Sequence, residues 1–171
     1  MKSFVKYLGI IMSINRIGII GAGQMGTGIA HVMALANYDV ILNDVLPEHL
    51  MTAKTSISQN LDRQISANKI SVDEASKAMS LVKTSIDLEA VANTDLIIEA
   101  VNEEEELKRK VFLSIMPYLG ENTVLTSNTS SISITRLASS TDRPEKFLGF
   151  HFMNPVPIMP VSYTHLRAHE T

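Results

Sequence analysis

Three glycines with the spacing Gly21-x-Gly23-x-x-Gly26 follow a short apolar run and precede an alanine-rich stretch. The run predicts a strand and the stretch predicts a helix, so the glycines lie in the turn between them. The first glycine permits the turn, the second lets the backbone approach a pyrophosphate, and the third lets helix and strand pack closely. This context favours a dinucleotide-binding loop, which includes Gln24 and Met25, over an ordinary tight turn, because a helix N-terminus attracts phosphate.

A second predicted strand, residues 38–44, ends in the acidic residue Asp44. Asp44 follows Gly26 by 18 residues, close to the spacing of about 20 expected for a carboxylate that binds the ribose 2′-hydroxyl. A carboxylate at this place repels a 2′-phosphate, which favours NAD over NADP. The alternative is that Asp44 only ends the strand and begins the turn into Pro47.

Two further polar residues lie near the carboxyl ends of late strands. Ser130 belongs to the polar cluster that follows the strand predicted at 123–126, and His151 lies near the end of the strand predicted at 147–153. Ligands bind at this edge of open α/β sheets. A neutral His can take the hydroxyl proton of a secondary alcohol while hydride leaves carbon, and a Ser hydroxyl can hold the same oxygen. The pair therefore indicates alcohol oxidation.

The elements that position these residues alternate between strands and helices. Residues 48–67 and 71–81 follow the second strand and show helical periodicity, which predicts a helical hairpin projecting from the sheet. Later apolar runs predict parallel strands, since a continuous run is typical of a strand buried on both faces. The predicted fold class is α/β, a Rossmann-type doubly wound, mostly parallel sheet with a helical hairpin inserted after the second strand.

The charged block after the strand predicted at 96–101 has a structural interpretation. Glu99 lies inside the apolar run and requires a partner, while Asn102 is expected to cap the next helix. The block contains the i,i+4 pairs Glu104–Lys108, Glu105–Arg109 and Glu106–Lys110. Such pairs predict a solvated helix start whose charges pair within the helix.

Composition excludes several classes of protein. A chain of 171 residues suits one domain, and a net charge of −3 argues against a nucleic-acid or anionic-membrane surface. Without Cys or paired His at metal-ligand spacing, no metal site is expected. No apolar run reaches 18 residues, so no membrane span is expected. Residues 1–13 are interpreted as an N-terminal extension and not as a signal peptide, with Met12 as the natural start and a cytoplasmic location.

Four segments together resemble the NAD-binding domain of the 3-hydroxyacyl-CoA dehydrogenases, particularly the 3-hydroxybutyryl-CoA type. These segments are GAGQMGTGIAH, DLIIEAVNEEEELKRKVF, SNTSSISIT and FLGFHFMNPVPIMP, and the resemblance covers residues 14–160. It implies NAD-dependent oxidation of L-3-hydroxyacyl-CoA to 3-oxoacyl-CoA. Other β-hydroxyacid dehydrogenases share the glycine loop but lack the SNTSS and HFMNPVP segments.

The resemblance also implies roles for individual residues. His151 becomes the catalytic base and Ser130 a hydroxyl that contacts the substrate. Glu103, Lys108 and Asn154 are expected at the cofactor, with Asn154 beside the nicotinamide. The hairpin is expected to hold the CoA near two residues, Asn60 and Lys69.

The chain departs from the family after residue 160. The family continues with a strand whose Glu pairs with the catalytic His, but residues 161–171, VSYTHLRAHET, have neither that strand pattern nor a carboxylate at that place. We interpret this tail as translated adapter sequence. The family's helical C-terminal domain, through which the parent protein is expected to form a homodimer, is absent. The alternative function is therefore an NAD-binding fragment without catalytic activity.

Overall fold

A computed structural model describes residues 4–7, 10–157 and 164–165 of the chain. The strands are β1 (Phe4–Tyr7), β2 (Ile10–Ser13), β3 (Arg16–Ile20), β4 (Asp39–Asn43), β5 (Val82–Ser85), β6 (Leu96–Glu99), β7 (Val124–Ser127), β8 (Phe147–Phe150) and β9 (Thr164–His165). The helices are α1 (Gln24–Leu35), α2 (Pro47–Ser66), α3 (Val72–Leu81), α4 (Glu89–Ala92), α5 (Glu105–Ile115) and α6 (Ile134–Ala138).

The main sheet has the strand order β5-β4-β3-β6-β7-β8-β9. The first six strands run parallel, and β9 is antiparallel to β8. Strand order reverses between β3 and β6, which is where doubly wound sheets bind ligands at the carboxyl ends of their strands. The predicted Rossmann-type fold is confirmed.

Each face of the sheet carries its own apolar core. On one face, side chains of β3 and β4 pack with α1, α2 and α3. On the other, side chains from α4, α5 and α6 pack around Phe112, whose ring meets that of Phe147 edge-on with centroids 4.9 Å apart. Both faces are therefore covered, as the continuous apolar run 96–98 requires.

The inserted hairpin packs against α1. Helix α2 starts at Pro47, and α3 is capped by Ser71, whose hydroxyl accepts from the N–H of Glu74 while the Glu74 carboxylate accepts from the N–H of Ser71. This reciprocal pair is a capping box, of which the sequence Ser71-Val-Asp-Glu74 is typical. The predicted hairpin is present after the second strand of the parallel sheet, and one apolar face of α2 joins the core formed with α1.

The start of α5 differs from the sequence prediction. Its N-cap is Glu104 and not Asn102. In place of the predicted i,i+4 pairs, Lys108 pairs with Glu99, Glu105 pairs with Arg136 at 2.9 Å, and Glu106 pairs with Arg109 at i,i+3. The sequence pattern was compatible with a solvated helix start, but packing beside the ends of β6 and β7 gives Lys108 another partner.

The two ends of the chain add short strands. Strands β1 and β2, within the predicted extension 1–13, pair with each other in a separate two-stranded sheet. In the tail, β9 pairs with β8 through Gly149↔His165 and Phe150↔Thr164, so the expectation of no strand there was wrong for these two residues. Residues 158–163 and 166–171 lie outside the described residues, so most of the predicted tail and the end of the predicted domain at 160 do as well.

Candidate active site at the carboxyl edge of the sheet

The glycine loop makes the turn between β3 and α1 with two close backbone approaches. Gly21 has φ +104°, in the region that favours glycine, and a Cβ there would lie 2.7 Å from the carbonyl oxygen of Ala100. A Cβ on Gly26 would collide with the Gly21 carbonyl oxygen. A Cβ on Gly28 would lie 2.9 Å from the Cβ of Val156, so this glycine lets the 154–157 loop approach α1 closely.

The N-terminus of α1 suits an external anion. Its N-cap is Gly23, so among the described residues no side chain caps the helix, and its first turn contains no acid. A Cβ built on Gly23 meets no described heavy atom within 4 Å, which means that open space faces the loop here. The free N–H groups and the partial positive charge of the helix end are the features that bind a pyrophosphate. The loop therefore fits the phosphates of a dinucleotide.

Asp44 lies beside this loop, directly after β4. Its Oδ2 accepts a hydrogen bond from the backbone N–H of Ala22 at 2.8 Å, and its Oδ1 accepts one from the N–H of Leu46 at 3.0 Å. Nδ1 of His49 lies 3.2 Å from the same Oδ1. These contacts hold the carboxylate beside the glycine loop. Sequence reasoning did not predict the contact between His49 and Asp44, although the position of His49 in the first turn of α2, five residues after Asp44, indicates that the two can meet.

A cleft of 610 Å³, the first cleft, brings the predicted catalytic residues to the glycine loop. Its lining includes Gly23, Gln24 and Met25 from the loop, and Glu103, Ser130, His151 and Asn154 from the loops after β6, β7 and β8. The structure therefore unites in one cavity residues that lie up to 131 positions apart, from Gly23 to Asn154. Both Ser130 and His151 are on the same edge of the sheet as the turn.

Glu103 organises the loop that carries Ser130. Its Oε1 accepts hydrogen bonds from the backbone N–H groups of Ser130 and Ser131 at 3.0 and 3.1 Å, and from the hydroxyl of Thr129. Partial burial by itself raises the pKa of Glu103, but these hydrogen bonds and the charge of Lys108 together lower that pKa to about 2. Glu103 is therefore a carboxylate at neutral pH.

Lys108 lies below the first cleft with its side chain fully buried. Its Nζ donates to Glu99 Oε1 and Oε2 at 2.8 and 3.0 Å. Burial raises the pKa of the Glu99 carboxyl, and the Lys108 charge opposes that rise. The expectation that Glu99 needs a partner is met. Lys108 was expected to touch the cofactor directly. In the structure its ammonium is enclosed by protein atoms and does not line the first cleft.

Asn128 fixes the backbone next to His151. Its Oδ1 accepts a hydrogen bond from the N–H of Phe152 at 2.9 Å, and Asn128 also lines the first cleft. The His151 ring is partly exposed, and among residues 13–157 no hydrogen bond to it is present. Sequence reasoning did not single out Asn128 from the polar cluster that contains it.

A second cleft, of 660 Å³, lies between the hairpin and the 154–157 loop. Both residues predicted at the CoA, Asn60 and Lys69, line it, together with Arg63. Gly23, Gln24 and Asn154 line both clefts, so the two are neighbours across the glycine loop. An anionic ligand in the second cleft would meet the cations of α2 and of the turn that follows it.

One further histidine lines neither cleft. His31 in α1 is fully buried, and this burial lowers the pKa of its imidazole. No cluster of three or more metal-ligating side chains is found in the part of the chain that the structure describes.

Residues 16–162 match the family model for the NAD-binding domain of 3-hydroxyacyl-CoA dehydrogenase. The chain belongs to the 3-hydroxyacyl-CoA dehydrogenase family. The matched range is close to the domain set at 14–160 from the sequence. This member of the family therefore contains an NAD-binding domain, and the predicted cofactor, NAD, is confirmed.

Among the curated relatives of this family member are 3-hydroxybutyryl-CoA dehydrogenases. A 3-hydroxybutyryl-CoA dehydrogenase of Bradyrhizobium diazoefficiens is 50% identical over 146 residues, which are 85% of this chain and 50% of that protein. A 3-hydroxybutyryl-CoA dehydrogenase of Mycobacterium tuberculosis is 38% identical over 150 residues, covering 87% of this chain and 52% of that one. The chain thus spans about half the length of the relatives it matches.

A solved structure of a 3-hydroxybutyryl-CoA dehydrogenase also has a similar fold. The (S)-3-hydroxybutyryl-CoA dehydrogenase of Ralstonia eutropha superimposes with a TM-score of 0.83 at 39% identity, covering 86% of this chain and 52% of that one. None of the described helices is both long and apolar enough to span a bilayer.

Proposed function

We propose that this chain forms the cofactor half of an NAD-dependent 3-hydroxyacyl-CoA dehydrogenase, which oxidises an L-3-hydroxyacyl-CoA such as 3-hydroxybutyryl-CoA to the 3-oxoacyl-CoA. The observation that supports this proposal is the first cleft, in which Ser130 and His151 face the glycine loop. The similarity to 3-hydroxybutyryl-CoA dehydrogenases supports the substrate class.

The cofactor-binding residues of the proposal are those around the glycine loop. The N–H groups of α1 bind the pyrophosphate at Gly23, Gln24 and Met25, and Gly21 and Gly26 shape the turn. Asp44 accepts hydrogen bonds from ribose hydroxyls. Glu103 and Asn154, which line the first cleft, lie towards the nicotinamide end.

The catalytic step assigns one function to each of two side chains. NAD, when bound, accepts the hydride that leaves C3 of the substrate. His151 in its neutral form takes the proton from the 3-hydroxyl group, and Ser130 donates a hydrogen bond to the same oxygen. The Ser130 hydroxyl is 3.4 Å from Glu103 Oε1, a long contact that leaves it able to turn towards substrate.

The second cleft supplies a place for the CoA part of the substrate. Asn60 donates or accepts hydrogen bonds there, and Lys69 provides a positive charge for a phosphate, with Arg63 nearby. Because this cleft adjoins the first through Asn154, a thioester can reach from the CoA to His151.

Assembly and location extend the proposal to the whole protein. We propose that the longer parent is a homodimer held by its C-terminal domain and that it is located in the cytoplasm. The chain spans about half the length of its relatives, so both statements concern the parent.

A second candidate function is NAD binding without turnover. It is favoured by the surroundings of His151, since among the described residues no carboxylate is hydrogen-bonded to its ring. A carboxylate partner sets the tautomer of a catalytic His and stabilises its charged form, and its loss in a related triad costs about 10⁴-fold in rate.

Steady-state assay of the 171-residue chain with acetoacetyl-CoA and NADH, combined with NADH titration by fluorescence, separates the two functions. Turnover supports the dehydrogenase, and NADH binding without turnover supports the second candidate. Absence of NADH binding by the folded chain contradicts both.

Where turnover is measured, His151→Gln is expected to lower kcat by at least about 100-fold with little change in NADH affinity, since general base catalysis contributes 10²–10⁴-fold. Ser130→Ala is expected to lower kcat, whereas Ser139→Ala, at an exposed serine after α6, is the matched control with unchanged kcat. Unaltered kcat in His151→Gln would refute the base assignment.

A further inference from the structure

Lys108 makes more polar contacts than a single ion pair requires. Besides the two oxygens of Glu99, its Nζ donates to the carbonyl oxygens of Val101 and Asn128, both at 3.3 Å, and it lies 3.5 Å from Glu103 Oε2. The Lys108–Glu99 pair is enclosed, because neither side chain has any exposed surface. One buried cation therefore contacts the loop after β6 and the loop after β7.

Glu99 extends the same network to the strand ends. Its Oε1 accepts from the N–H of Val101 at 2.7 Å, and its Oε2 accepts from the hydroxyl of Ser127 at 2.6 Å. Glu99 and Ser127 are the last residues of β6 and β7. The pair is thus anchored at the ends of two hydrogen-bonded strands.

Two short paths lead from Lys108 to the residues proposed to react. One path runs through Glu103, whose other oxygen holds the N–H groups of Ser130 and Ser131. The other runs through Asn128, whose side chain accepts from the N–H of Phe152, the residue after His151. The serine and the histidine are therefore held by the same ammonium from below the first cleft.

We propose that Lys108 is a positioning residue, which through Glu103 and Asn128 sets the relative placement of Ser130 and His151. Glu99 supplies the buried counter-charge that keeps the ammonium in place. The catalytic meaning of this placement rests on the proposed function. The placement itself does not, and it is tested without turnover.

The alternative is that Glu99 and Lys108 only stabilise the fold. Removing one member of a buried pair leaves an uncompensated charge and is strongly destabilising, whereas removing both is often close to neutral. A purely stabilising pair therefore predicts that every defect of Lys108→Met disappears in the double variant Glu99→Gln/Lys108→Met. A positioning role predicts that global stability recovers and loop order does not, since Glu103 and Asn128 still lack their cation.

The experiment is NMR on the ¹⁵N-labelled 171-residue chain, with amide hydrogen exchange and thermal unfolding. In the double variant we expect unfolding near the wild-type temperature, but exchange at Ser130, Ser131 and Phe152 about tenfold faster and shifted amide resonances for these residues. The amides of Ile19 and Ile98 in the core report global stability. Lys110→Met, at an exposed position of the same helix, is expected to change none of these amides.

Wild-type exchange rates and resonances at Ser130, Ser131 and Phe152 in the double variant would overturn the proposal. The single variant Lys108→Met is expected to show the same loop signature on a less stable protein. If it does not fold, the double variant still decides. If the wild-type chain shows no enzymatic turnover, that result bears only on the proposed function, because no step of this test requires turnover.

Discussion

The carboxylate of Glu103 accepts a hydrogen bond from the backbone N–H of Ser130 at 3.0 Å, which joins two loops that are 27 residues apart in sequence. The same oxygen accepts from the N–H of Ser131 and from the hydroxyls of Thr129 and Ser131. An acid at the cofactor edge therefore serves to order the loop of the proposed substrate-binding serine. A carboxylate with this many donors is held in its charged form.

Glu103→Gln is expected to lower the free energy of unfolding at pH 7 by about 1 kcal/mol, because the charge-assisted hydrogen bonds become neutral ones. The figure is small since the Glu103 side chain is 38% exposed and solvent screens it. The folded pKa of about 2 lies below the ordinary value of 4.5, so this stabilisation is present above pH 4.5 and is lost as the pH falls towards 2. Urea unfolding of both proteins at pH 7 and pH 3 measures the difference. A difference that grows on acidification contradicts the assignment.

Asp44→Ala is expected to raise the Kd for NADH by about tenfold or more and to change the Kd for NADPH less. The carboxylate is held beside the glycine loop by the N–H of Ala22, and at that place we expect it to bind a ribose diol and to repel a 2′-phosphate. Titration with both nucleotides by fluorescence is the measurement, and Asp62→Asn on the exposed side of α2 is the control. Equal weakening for both nucleotides argues against the ribose contact.

Two glycine substitutions separate cofactor binding from folding. Gly23→Ala places a methyl group in open space at the start of α1, so we expect near-normal thermal stability and a Kd for NADH raised at least about tenfold. Gly26→Ala drives a Cβ into the Gly21 carbonyl, so stability itself is expected to fall. Calorimetry with and without NADH distinguishes them. Normal NADH affinity in Gly23→Ala would show that the pyrophosphate lies elsewhere.

Local sequence rules predicted those parts of the fold that depend on local interactions. The glycine loop, the capping box at Ser71 and the need of Glu99 for a partner all follow from residue type and spacing. The burial of Lys108 did not follow, because the i,i+4 spacing of Glu104 and Lys108 is equally compatible with a solvated pair on the helix surface and with a buried lysine that has another partner. The ends of β6 and β7 decide between these possibilities, and they meet only in the folded sheet.

The packing of the hairpin shows the same limit. The apolar stripe of α2 predicted one buried face, yet the sequence did not show that this face lies on α1. The second cleft depends on that contact and was not predicted, whereas the resemblance implied a role at the CoA for two of its lining residues, Asn60 and Lys69. Long-range contacts of this kind leave no periodic signal along the chain.

The most direct test of the central claim is a nuclear Overhauser measurement between NADH and the histidine rings of the 171-residue chain. We expect a contact between the nicotinamide protons and the ring of His151, absent in Gly23→Ala, with the buried ring of His31 as the internal control. Saturation with NADH that perturbs the Asp44 amide but gives no contact at His151 would contradict the shared cleft and the base assignment with it.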